Sequence, residues 1–163
     1  MPAPFTSTRL PGFRTSSLTL GHRPLKDFEE VKMQIDKAVQ DRATARAAEL
    51  PGSEHTHQFT GDWEVWKVGG KVFMLQTSMP GEPVVILKAD PSDAESLRAA
   101  HASISPGYHM NKKHWITVRA GADAEPALVD NLVSESYLLV VAGLPKQSRP
   151  VDPASFRVPP SAD

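Results

Sequence analysis

Between Ser105 and Trp115 the chain reads "SPGYHMNKKHW", which gathers His109, His114, Lys112, Lys113, Asn111, Tyr108 and Trp115 in one short stretch. Such side chains build acid–base sites, basic binding loops and tight structural turns alike. Catalysis asks for further partners, and the sequence offers few. It has no cysteine, which removes thiol catalysis, thiolate zinc sites and disulfide frameworks together. No serine stands in a nucleophile-elbow context, and "SESY" from Ser134 to Tyr137 lies inside an apolar helical pattern. The paired glycines Gly69-Gly70 precede a strand, so neither a Walker nor a Rossmann phosphate loop is present. The expectation is a protein that is not an enzyme, with no catalytic residue and no cofactor.

Metal chemistry has one sequence candidate. His55-Thr56-His57 would place two imidazoles on one side of an extended segment, with Asp62 and Glu64 nearby. No further ligand pair has metal-site spacing, so these histidines are read as part of a solvated polar loop and no metal is expected. Asp27, Glu30, Asp36 and Asp41 could collect hard cations through oxygen. Lys32, Lys37, Arg42 and Arg46 interleave with them, which is the pattern of a solvated helix face.

The elements that must position these residues follow from periodicity. The spacing of Phe28, Val31, Ile35, Ala38 and Val39 predicts an amphipathic helix from Lys26 to Leu50, with acids in its first turn and "LPG" as its stop. "DWEVWKV" and "KVFMLQTSM" read as strands joined by Gly69-Gly70, and Pro80-Gly81-Glu82 turns the chain into a third strand, "VVILKA". "DPSDAESLRAAH" reads as a short helix with Asp90 as N-cap, Pro91 at its first position, and Leu97 and Ala100 facing inward. "WITVRA" makes a fourth strand. A last helix starts near Glu125-Pro126 and buries Leu128, Leu132, Val133, Tyr137, Val140 and Val141. It ends at Gly143-Leu144-Pro145 in a glycine C-cap. This order predicts an α+β sandwich: an antiparallel sheet of at least four strands with helices packed on one face.

At 163 residues, with 40% hydrophobic and 23% charged content, the chain suits one globular domain. That domain is expected at residues 26–146, after a basic flexible arm at 1–25 and before a loosely ordered proline-rich tail at 147–163. The first 26 residues carry Arg9, Arg14, Arg23 and Lys26 with no acid before Asp27, but Pro2, Pro4 and Pro11 oppose an amphipathic targeting helix. No apolar run approaches the roughly 18 residues of a membrane span, so no membrane partner is expected and the cytoplasm is the expected location. The formal net charge of −1 means that any nucleic-acid contact must come from a local patch.

Such a patch exists in "SPGYHMNKKHWITVR", where Lys112, Lys113 and Arg119 stand without an acid beside planar side chains. The competing reading makes Trp115 and Ile116 strand residues, Asn111 a turn former and the lysines solubilising charge. On composition alone the structural reading is the stronger, since three cations neutralise only about three phosphates.

"VWKVGGKVFML", "VVILKADPSDAESLR", "SPGYHMNKKHWITV" and "LVSESYLLVVAGLPK" together resemble the MmcQ/YjbR family of small, mostly bacterial proteins. The resemblance runs from about Leu50 to Lys146. It implies a CyaY/frataxin-like α+β fold and DNA binding through a double-wing arrangement of sheet and loops. Carried onto matching positions, it implies a nucleic-acid-binding set of His109, Asn111, Lys112 and His114, with Lys113 and Lys71 beside them and double-stranded DNA as partner. The alternative expectation is a non-enzymatic interaction or small-ligand module, with an unidentified protein partner, in which the loop is structural.

Overall fold

In the computed structural model the described residues are 25–57, 63–79 and 82–156. They divide at Gln34: Leu25–Gln34 holds the start of the first helix, and the unit from Ile35 onward holds everything else. The expected N-terminal arm lies, but for residue 25, outside the described residues.

Helix α1 spans Leu25–Glu49. Its apolar stripe continues through Val39, Ala43, Ala47 and Leu50, all buried. Phe28, Val31 and Ile35 sit on the same repeat, yet they are 59%, 45% and 61% exposed. Ala38 is exposed as well. Periodicity marks a helix face without marking how much of it is covered. The helix stops at Leu50-Pro51-Gly52, where Gly52 takes φ 74°, a region favouring glycine.

The sheet comprises β1 (Ser53–His57), β2 (Glu64–Val68), β3 (Lys71–Met79), β4 (Glu82–Lys88), β5 (Ile104–Pro106) and β6 (Trp115–Arg119). Its spatial order is β1-β2-β3-β4-β6-β5, and every pairing is antiparallel. The sequence pattern identifies the four inner strands and misses both edges. Edge strands carry one row of unpaired backbone and are kept short or polar, so "SEHTH" and "ISP" lack an apolar signature. His55 and His57, expected in a solvated loop, are strand residues.

Gly69 and Gly70 close the β2–β3 hairpin at φ 58° and 79°, the two positive angles that match the twist of paired strands. Just past the turn the register shifts: Trp66 faces Met74 while Lys67 faces Val72, leaving Phe73 as an extra residue in β3. The Ser136 hydroxyl donates to the Phe73 carbonyl at 2.5 Å and accepts from the Lys88 amide at 2.9 Å. One serine thus satisfies a carbonyl at the bulge and an amide at the end of β4.

Helix α2 (Pro91–Ala100) begins as expected, with the Asp90 carboxylate accepting from the Ser92 amide at 3.0 Å. Hydrogen bonds from Ser92 hold that carboxyl below its ordinary range. Ala94 is the residue buried here, while Leu97 is half-buried and Ala100 is exposed. Helix α3 (Pro126–Ala142) buries Val129, Leu132, Val133, Tyr137, Val140 and Val141 against the sheet. Gly143 caps its end as expected, at φ −84°, with its amide donating to the Val140 carbonyl at 3.0 Å. Arg149 supplies further donors, at 2.9 Å to the Leu144 carbonyl and 2.8 Å to that of Ala142. A 3-10 turn at Lys146–Ser148 follows, and Val151 and Phe156 pack on the core. The chain after Lys146 is therefore held by contacts as far as Phe156.

Helices and sheet face share one core, in which Val39, Ala43 and Ala47 of α1, Ala94 of α2 and Val133, Tyr137 and Val141 of α3 meet Met74, Val85, Leu87 and Ile116. Arg42 clamps Asp130 through 2.9 and 2.6 Å bonds, and buried Arg46 donates to Ser134 at 3.0 Å. Gln40 reaches the Thr77 and Val84 carbonyls at 2.8 and 3.0 Å. These contacts fix α1 on α3 and the sheet without leaving buried charge unpaired.

Tyr137 is fully buried, with its hydroxyl donating to the Pro51 carbonyl and its ring 5.6 Å edge-on to Phe73. Burial pushes its pKa up to about 12. The folded state therefore favours neutral tyrosine, and its contribution is intact below the unfolded value near 10 and lost as pH rises toward 12. Stability should fall by up to about 1.4 kcal/mol per pH unit across that window. Denaturant unfolding from pH 8 to 12 should show a flatter alkaline loss in Tyr137→Phe than in the parent, and a loss near 1 kcal/mol at pH 7.

Candidate nucleic-acid interface

An inner strand has two faces, and both are apolar here. Val65, Leu75, Val84 and Ile86 form a second buried cluster, separate from the helix-covered core. Trp63, Val72, Tyr108, Met110 and Trp115 pack against it. The stretch between β5 and β6 thus folds over the face that the helices leave open. Apolar residues across one sheet require such a cover, since exposing them to water costs roughly 25 cal/mol per Å².

Backbone bonds set the loop's shape. The Gly107 amide donates to the Trp115 carbonyl at 2.9 Å, and the Tyr108 amide donates to Thr117 Oγ1 at 2.9 Å. The Thr117 hydroxyl in turn donates to the Pro106 carbonyl at 3.0 Å. Asn111 Oδ1 accepts from the Lys113 amide at 2.8 Å, an Asx turn. The Ala89 amide donates to the His114 carbonyl at 2.8 Å, tying the loop to the end of β4. Tyr108 lies nearly parallel to Trp63, with centroids 6.4 Å apart, and His109 leans on Tyr108 at 4.0 Å. His109 also holds φ at 60°, a left-handed conformation that costs an L residue roughly 1 kcal/mol or more.

Antiparallel register decides which cations share a neighbourhood. The Gly69-Gly70 turn with Lys71, the end of β4 at Lys88, and the start of β6 at Trp115 all lie at one end of the sheet. Lys112 and Lys113 stand just before His114 and Trp115, so they belong to that end as well. Arg119 does not: it lies at the far end of β6, 3.7 Å from Glu82. Among the described residues, Lys71, Lys88, Lys112 and Lys113 form no ion pair. Asp90 is nearby, but its carboxylate accepts from the Ser92 amide and, at 2.8 Å, the Ser92 hydroxyl.

The expected site residues divide by what their side chains do. Asn111 is exposed, but its side-chain oxygen is spent on its own turn. Lys112 donates to the Gly107 carbonyl at 3.0 Å. Lys71, Lys113, His109 and His114 are exposed. Two residues outside that set share the second face: Lys67 opposes Val72 and Lys88 opposes Trp115, and opposed residues project to one side. Strand alternation is the signal for Lys67, which follows inward-facing Trp66.

These features define a small α+β protein: a six-stranded antiparallel sheet with three helices on one face and an aromatic loop on the other. The family model described as YjbR matches residues 48–139, from the end of α1 to the last turn of α3. The chain belongs to the YjbR family. The uncharacterized protein YbdF of Escherichia coli O157:H7 is 41% identical over 71% of this chain and 95% of its own length. The uncharacterized protein YjbR of Escherichia coli strain K12 is 34% identical over 61% of this chain and 84% of its own. Among solved structures, the Deinococcus radiodurans protein DR2400, described as a DUF419 domain, is similar with a TM-score of 0.62 and 38% identity. That likeness covers 67% of this chain and 83% of the other.

Gly107 has no room for a side chain. An added Cβ would stand 2.6 Å from the Trp115 Cβ and 3.0 Å from its carbonyl oxygen. Gly107→Ala should therefore cost about 1–3 kcal/mol in a denaturant melt, whereas Lys113→Ala, which removes only exposed charge, should leave the midpoint unchanged.

Proposed function

We propose that the protein binds duplex DNA with little sequence preference through the sheet end bearing Lys71, Lys88 and Lys113, with the exposed rings of His109 and His114 beside them. The observation that carries this reading is the placement of two lysine-bearing turns, Gly69-Gly70-Lys71 and Lys112-Lys113, at the same end of the sheet as Lys88, with no ion pair to these lysines among the described residues. Amines that stand free of carboxylates can exchange counterions for phosphates, which supplies most of non-specific affinity. Asn111 and Lys112 act differently in this reading: they hold the loop's backbone so that Lys113 projects. The protein is a non-catalytic, cytoplasmic binder.

A second reading has its own support. Tyr108, Met110 and Trp115 are spent on covering Val65, Leu75, Val84 and Ile86, which favours a loop whose first task is structural, in a module that binds a protein or small ligand.

Three phosphate contacts give a log–log salt slope near −2.7, or about 40-fold weaker binding between 50 and 200 mM salt. Fluorescence anisotropy with a mixed-sequence duplex should show this slope in the parent. In Lys71→Ala/Lys113→Ala it should be shallower by about two units, with an unchanged thermal melt. Equal binding by parent and variant at both salt concentrations would rule out the proposed surface and leave the second reading.

A further inference from the structure

Pairing β1 with β2 does something that the spacing of His55 and His57 does not reveal. Residues two apart on a strand share a face, and register sets His57 opposite Glu64 and His55 opposite Trp66. Both imidazoles and the Glu64 carboxylate therefore project to one side at the edge of the sheet. His55 Nε2 is 3.0 Å from Glu64 Oε2, and His57 Nδ1 is 3.9 Å from Glu64 Oε1. One ligand atom from each of the three side chains lies within 4.8 Å of the others. Among the described residues, no other set of three such side chains meets this condition.

We infer that His55, His57 and Glu64 form a binding site for a divalent transition ion of the zinc class. Two neutral imidazoles and a carboxylate are a borderline donor set that suits zinc, copper or nickel better than calcium or magnesium. Metal–ligand bonds of about 2.0–2.2 Å put tetrahedral ligand atoms about 3.3 Å apart. Separations of up to 4.8 Å must therefore close by at most about 1.5 Å. His57, 77% exposed, is free to swing that distance. His55 is held in place: its ring stacks on buried Trp66, with centroids 4.4 Å apart and planes 15° from parallel. That contact fixes the direction in which Nε2 points, leaving less side-chain freedom to lose on binding.

Three protein ligands leave a fourth position for water or an external donor, as in open zinc sites. The ion would also join the edge strand β1 to β2, so binding should raise the melting temperature as ion concentration rises above Kd. Trp66 gives a local optical probe, because a paramagnetic ion bound beside its stacking partner quenches its emission.

The test is a titration of the full chain with Zn²⁺ by calorimetry and with Cu²⁺ by tryptophan fluorescence. One Zn²⁺ per chain is expected, together with saturable quenching that is lost in Trp66→Phe. His57→Ala and Glu64→Gln should each weaken Zn²⁺ binding tenfold or more, while His101→Ala leaves it unchanged. Both altered side chains are substantially exposed, so parent-like melts without metal should accompany the loss. Binding of equal strength in the His57→Ala/Glu64→Gln variant, or no saturable 1:1 binding below about 1 mM, would overturn the inference.

Discussion

Everything in this structure depends on a sheet whose inner strands are apolar on both faces. Helices cover one: α1 and α3 lie over Met74, Val85, Leu87, Ile116 and Val118. The other carries Val65, Leu75, Val84 and Ile86, and among the described residues no helix contributes to its cluster. Covering it falls to Trp63 and to the residues between β5 and β6. That demand explains why a short stretch holds tyrosine, methionine and tryptophan, why glycine stands at 107, and why Asn111 turns the chain where it does. The same economy leaves the polar members of the stretch at the rim, where Lys113, His109 and His114 meet solvent.

The helix-covered side is organised by α3. Ser136 receives the Lys88 amide and donates to the Phe73 carbonyl, while Tyr137 fills the space beside Phe73 and donates to Pro51. Two adjacent residues therefore lock the bulge in β3, the end of β4 and the stop of α1 to one helix. The bulge lies just past the Gly69-Gly70 turn, so the direction in which Lys71 leaves the sheet depends on it. Position and charge are coupled here through packing: the cations at this end are held by hydrogen bonds beneath them.

Much of this was legible in the sequence, and the exceptions have physical reasons. Helix α1, the hairpin glycines, the four inner strands, the Asp90 cap and α3 followed from periodicity and turn chemistry. The match of residues 48–139 to the YjbR family agrees with the resemblance read from the chain. The edge strands escaped because edges are short and polar by necessity. The exposure of Phe28, Val31 and Ile35 was not legible because spacing cannot report coverage. The chain after Lys146 read as loose because prolines signal irregular backbone, whereas Val151 and Phe156 anchor that backbone to the core without regular structure.

The sequence by itself determined the helices, the four inner strands, their antiparallel connections and the chemical character of the loop, because these depend on local spacing and turn residues. Only the tertiary structure decided which cations meet. Register set Lys71, Lys88 and Lys113 at one end of the sheet and sent Arg119 to the other. It also made a loop-like "HTH" into an edge strand, with both imidazoles facing Glu64. Strand pairing is non-local, so the residue opposite a histidine is fixed by how the whole sheet aligns and cannot be read from the residues beside it.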